Sequence, residues 1–128
     1  MQFDQHISRK SNSDLEDLRA QLLKMGGLVE QMLADAVQSL ETADSGLAAK
    51  VLDMEIEVNK LEITVDEDCT QILARRQPAA SDLRMVLAVA KIVRDLERIG
   101  DESSKIAKMA ISLSEHGETS RGYVEIRH

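Results

Sequence analysis

Arg75-Arg76-Gln77-Pro78-Ala79-Ala80-Ser81-Asp82-Leu83-Arg84 decides the fold, because it sets the only proline of the chain between two long apolar-periodic stretches. Proline disfavours the α conformation in the residue before it and starts a new helix well. The stretch therefore predicts that one helix closes near Arg76 and the next opens at Ala79. Ser81 and Asp82 supply capping chemistry in its first turn.

On the N-terminal side, Leu47, Val51, Met54, Val58, Leu61, Val65 and Ile72 alternate steps of three and four, the seam of a bundle helix over 46–76. Asp68 breaks the rhythm and neighbouring Cys69 fills its place as a small buried apolar group. Arg75 and Arg76 in the last turn suit the negative end of the helix dipole. On the C-terminal side, Leu83, Val86, Val89, Ala90, Val93, Leu96, Ile99, Ile106, Ala107, Ala110 and Leu113 predict a helix over 79–113. Around Met85–Val93 they cover more than one stripe, which predicts burial on two sides.

Further out, Thr42-Ala43-Asp44-Ser45-Gly46 is rich in turn and capping residues. Before it, Leu15, Leu18, Leu22, Met25, Val29, Met32 and Ala36 mark a helix over 14–41. Ser13 and Glu16 form a capping-box pattern at its start. Gly26 and Gly27 inside it each cost about 1 kcal/mol relative to Ala, and mark a kink, a close approach of another backbone or a tolerated flaw. Residues 1–12 lack periodicity and read as a flexible tail, and 114–128 as a linker. The expectation is an all-α, antiparallel three-helix bundle of long helices, spectrin-like in layout.

Composition agrees. Aromatics are 2% and Trp is absent, so the core must come from Leu, Ile, Val, Met and Ala, which suit helix packing. A net charge of −7 opposes non-specific nucleic-acid binding, and the expectation is no nucleic-acid partner. One cysteine and no Cys-x-x-Cys fit a reducing cytoplasm. The start of the chain has no apolar signal segment, and the longest apolar run, Met85 to Ala90, is too short to span a bilayer. There is no Ser/His/Asp set, phosphate-cradling glycine loop or Cys/His pairing, so the chain reads as a binding module and not an enzyme.

One constellation carries possible chemistry. Glu55, Asn59, Glu62 and Asp66 share a face of the second helix, and Glu97 and Asp101 stand four apart on the third. An antiparallel hairpin centred on Pro78 sets Glu55 level with Asp101 and Asn59 level with Glu97. Such an oxygen-rich cage suits hard or borderline cations: Fe, Mn or Mg. The alternative is a solvated acidic face with Arg94, Arg98 and Lys105 as ion partners; spacing alone leaves both open. Arg75, Arg76 and Arg84 around the turn are candidates for docking an acidic partner.

Arg75-Arg76-Gln77-Pro78-Ala79-Ala80-Ser81-Asp82-Leu83-Arg84, followed by Asp95-Leu96-Glu97-Arg98-Ile99-Gly100-Asp101, resembles the PhoU family of bacterial phosphate-signalling regulators. Met25-Gly26-Gly27-Leu28-Val29-Glu30 supports the resemblance. It covers nearly the whole chain but only the first of the family's two three-helix repeats. It implies a negative regulator of the phosphate regulon that couples a phosphate ABC transporter, through its ATPase subunit, to a sensor histidine kinase. It further implies a cytoplasmic protein, peripheral at the inner membrane through these partners. The family's acid-x-x-x-Asp metal motif is matched by Glu97 and Asp101; Asn59 replaces a common Asp in the copy begun by Glu55, and Ser103 stands where His is frequent. A lone repeat is expected to self-associate as a homodimer or higher assembly through the apolar surface of helix three. A metal-binding helical protein without a signalling partner is the rival reading.

Overall fold

The computed structural model describes residues 2–75 and 79–127, with side chains described for 13–75 and 79–117. Three helices make up these residues: α1 (Gln2–Thr42), α2 (Ser45–Leu73) and α3 (Ala80–Arg127). Each packs on both others, so the architecture is the antiparallel three-helix bundle expected.

The seams bury as the periodicity requires. Val51, Val58, Val65 and Ile72 of α2 recur every seven residues and are all buried. On α3 the same spacing runs through Val86, Val93, Gly100 and Ala107, and on α1 through Leu18, Met25 and Met32. A strict repeat of seven keeps each seam on the common axis when the helices supercoil gently. Cys69 is buried beside Ile72, as its place in the seam predicts, and burial first, then Asp66 and Asp68, push its thiol above the ordinary range.

The first connection is tight. Ala43 adopts a left-handed conformation (φ 53°), Asp44 N–H donates to Ser39 O at 2.9 Å, and the Asp44 carboxylate accepts from Leu47 N–H at 3.0 Å as the N-cap of α2.

Several boundaries differ from expectation. The first helix begins at Gln2, not 14, so Ser13 lies inside a helix and opens no cap. The third runs to Arg127, through the stretch read as a linker. Neither 2–12 nor 114–127 contains a proline, and each residue added to an existing helix gains a hydrogen bond without a new nucleus. Conversely, α2 stops at Leu73, where Ala74 N–H bonds Thr70 O and Arg75 N–H reaches Ile72 O, a tightened last turn. Its last helical turn therefore holds no basic residue, and Arg75 does not complement the dipole. Pro78 and Arg76 lie outside the described residues. The two-sided burial expected for the start of α3 does not occur within the chain: Leu87 and Ile92 are exposed.

Candidate functional site

The acidic residues singled out by spacing sit along the α2–α3 seam, where two contacts fix the register. Ser104 Oγ donates to Glu55 Oε2 at 2.6 Å. One heptad nearer the turn, Glu62 meets Glu97 and hydrogen-bonds it. Positions 55 and 104 average 79.5, as do 62 and 97, against the 78 expected for a hairpin centred on Pro78. The register is thus offset by three residues, close to one helical turn.

This offset rearranges the constellation. Glu55 is half-buried and engaged by Ser104, not by Asp101. Asn59 is exposed, and the residue that faces Glu97 is Glu62, one turn further along α2. Glu97 is half-buried and Asp101 exposed. Partial burial pushes the Glu62 carboxyl above its ordinary range, and the charges of Glu97, Asp66 and Asp101 push it the same way. Among the described residues, no three acid, His or Cys side chains converge closely enough to hold a metal ion. The acids feel one another's charge without forming a cage, so the donor set does not fit a preformed metal centre. Ser103, wholly buried, turns its hydroxyl onto Ile99 O at 2.8 Å.

The arginines of the turn part company. Arg75 is ion-paired with Asp14 of α1, one of three rungs that tie α1 to α2. The others are Gln21 Nε2 donating to Asp68 at 2.9 Å and Lys50 Nζ at 3.5 Å from Asp35 Oδ2. Asp35 is 6% exposed and also accepts from Gln31 at 2.8 Å, while its Oδ2 completes no hydrogen bond. Arg84 is exposed, and it opens a row that sequence reading overlooked: Arg84, Lys91, Arg98 and Lys105, spaced by seven and all exposed on α3. Of these, Lys105 pairs with Glu102 at 3.2 Å, an exposed pair of little energetic weight. The signal was present in the text as a cationic heptad inside a chain of net charge −7.

Comparison with known proteins gives a consistent picture. The PhoU domain family matches residues 22–110, the body of the bundle. The chain is 58% identical over 123 residues to the phosphate-specific transport system accessory protein PhoU homolog of Pseudomonas aeruginosa, covering 96% of this chain and 51% of that protein. It is 44% identical over 111 residues to phosphate-specific transport system accessory protein PhoU of Escherichia coli, covering 87% and 46%. The crystal structure of PhoU from Pseudomonas aeruginosa superposes with a TM-score of 0.81 at 58% identity, over 91% of this chain and 56% of that one. The chain spans about half the length of the curated relatives it matches.

Proposed function

This chain belongs to the PhoU family, and from that premise we propose that it serves a phosphate transport system as a regulatory adaptor, acting by binding and not by catalysis. The observation that carries the reading is the family match over 22–110, which coincides with the packed body of the bundle. The finer proposal is negative regulation of the phosphate regulon by coupling the ATPase subunit of a phosphate ABC transporter to the cytoplasmic region of a sensor histidine kinase. It places the protein in the cytoplasm, peripheral at the inner membrane through those partners; no helix among the described residues is long and apolar enough to cross a membrane. The cationic row beginning at Arg84 is the surface suited to an acidic segment of such a partner, because its charges are exposed and repeat with a helix's own period. Self-association of the chain is part of the same proposal.

The test is a pull-down with the kinase's cytoplasmic region and, separately, with the transporter ATPase. Binding that is salt-sensitive and lost in an Arg84→Glu, Lys91→Glu, Arg98→Glu triple variant is expected. Absence of binding to either protein, by this chain and by a version extended beyond His128, overturns the adaptor reading.

An ion of Fe, Mn or Mg at Glu55, Asn59, Glu97 and Asp101 is a separate proposal. It draws support from the charge that Glu97, Asp66 and Asp101 concentrate at Glu62, and little from the donor geometry. Metal analysis of the purified chain tests it: stoichiometric metal that is lost in a Glu97→Ala, Asp101→Ala variant supports the site, and its absence after incubation with each ion refutes it.

A further inference from the structure

The cationic row of α3 is not uniform along its length. Residues 83–94 carry three cations and no carboxylate, whereas 95–105 carry four carboxylates and two cations. Arg84, Lys91 and Arg94 are exposed, and none of them is ion-paired among the described residues. The positive charge of the row is therefore concentrated, and unmatched, at the end where α3 begins.

Helix geometry places that charge. Arg84 and Lys91 each precede a buried valine of the core seam, Val86 and Val93, by two residues. Two residues turn an α-helix by about 200°, so both cations lie on the ridge that faces away from the core, about 10.5 Å apart along the axis. Leu87 stands three residues after Arg84, four before Lys91 and seven before Arg94, so all three cations frame it. It is 62% exposed. On α2, Leu73 is 43% exposed. The register set by Glu62 and Glu97 puts the two leucines level, since 73 and 87 average 80 against 79.5 for the two acids. An apolar pair drawn from two helices thus lies beside three unmatched cations.

We infer that this end of α3 seats an acidic amphipathic helix of a partner protein, with an apolar side chain of that helix on Leu87 and Leu73 and its carboxylates on Arg84, Lys91 and Arg94. The assignment rests on the adaptor reading above and names the form of the segment that is bound. Spacing selects a helix: carboxylates seven residues apart on one repeat at about 10.5 Å, as Arg84 and Lys91 do, whereas an extended strand presents one face every ~6.6 Å, which does not divide that distance. A docked helix anchors through apolar side chains on one face, and the two leucines receive them. A broad anionic surface such as a bilayer is disfavoured. The Arg75–Asp14 pair brings the start of α1 to this end of the bundle, where Glu16, Asp17, Asp66 and Glu67 are exposed and would meet that surface within a Debye length of about 8 Å. Three cations are also fewer than the roughly four to eight that mark lipid recognition.

Fluorescence anisotropy of the whole chain with a designed three-heptad peptide tests the assignment. The peptide carries leucine and alanine on one face and glutamates flanking them; a control of equal charge carries central prolines that break the helix. The helical peptide is expected to bind. Arg84→Glu, Lys91→Glu weakens it at least tenfold and reduces its salt dependence. Leu87→Ser, with the fold checked by circular dichroism, weakens it about fivefold and leaves the salt dependence unchanged. Lys105→Glu, in the acid-rich part of the row, changes binding less than about twofold. No binding of the peptide, equal binding of the proline-broken control, or binding indifferent to Arg84→Glu, Lys91→Glu overturns the seat. Binding of phosphatidylglycerol vesicles in place of the peptide overturns it in favour of lipid. A version extended beyond His128 that no longer takes the peptide shows the face closed by the chain's own continuation and overturns it too. Any of these results with the kinase region or the ATPase still captured leaves the adaptor reading standing, whereas peptide binding with neither protein captured removes that reading and keeps the seat.

Discussion

Ser104 donates its hydroxyl hydrogen to Glu55 at 2.6 Å, and this contact ties α3 to α2 at the half of the hairpin farther from the turn. Ser104 is almost wholly buried, so its hydroxyl has no water to fall back on. A bond to an ionised group is worth about 1.5–3 kcal/mol net. Ser104→Ala is expected to lower stability by about 2 kcal/mol in urea denaturation, with the slope of the transition unchanged. A loss below about 0.5 kcal/mol would show that Glu55 finds solvent as readily as it finds Ser104.

The Glu62–Glu97 contact predicts a pH dependence of definite sign. Glu62 binds its proton more tightly in the folded chain than in the unfolded one. The folded state therefore holds more protons above the ordinary carboxylate range, and stability falls as pH rises through that window. Glu62→Gln keeps the hydrogen bond to Glu97 and removes the charge. It should stabilise the fold at pH 7 by about 0.5 kcal/mol, the scale of a like-charge pair on helices, and flatten this part of the profile. Chemical denaturation at pH 4, 5, 6 and 7 reads both effects, and parallel profiles for the two proteins would refute the assignment.

Gly100 occupies a core heptad position on α3, yet a Cβ there would meet Met32 and Val29 at 4.0 Å, ordinary van der Waals contact. Gly100→Ala should therefore stabilise the bundle by about 1 kcal/mol through helix propensity alone. A lower melting temperature would mean that the α1–α3 spacing is tighter than these distances indicate.

The turn between α1 and α2 is expected to answer to two opposite changes. Ala43 holds a left-handed conformation that glycine adopts without penalty, so Ala43→Gly should stabilise by up to about 1 kcal/mol. Asp44→Ala removes the cap on Leu47 N–H and should cost about 1 kcal/mol. Thermal melts of both variants, compared at the wild-type midpoint, separate the two effects.

The bundle was legible because its apolar periodicity is regular: Val51, Val58, Val65 and Ile72 announce a buried stripe whatever surrounds them. The register of the α2–α3 hairpin was less so. Centring it on Pro78 assumes a turn symmetric about the proline, whereas α2 stops at Leu73 and α3 starts at Ala80. Side-chain spacing along two helices does not fix how far one is slid along the other, and Glu62, not Asn59, stands against Glu97. The pairing of Arg75 with Asp14 was not legible either. An arginine at a helix end is equally suited to a dipole, a partner or a neighbouring helix, and only the position of Asp14 in space shows which helix it reaches. The helix ends beyond 13 and 113 were hidden because polar text without proline does not distinguish a tail from a helix that simply continues.

The connection at Ala43 and Asp44 spans only two residues between helices, while 74–79 separate the second pair. Closing the shorter loop sacrifices less chain entropy and brings together residues near in sequence, such as Ala36 and Val51. The α1–α2 hairpin is thus the nucleus from which folding is expected to proceed, with α3 condensing onto it afterwards. In stopped-flow refolding, truncations at Val51 should slow folding, whereas truncations at Val93 should chiefly hasten unfolding. The single left-handed residue at the tip sets the order in which the three helices find one another.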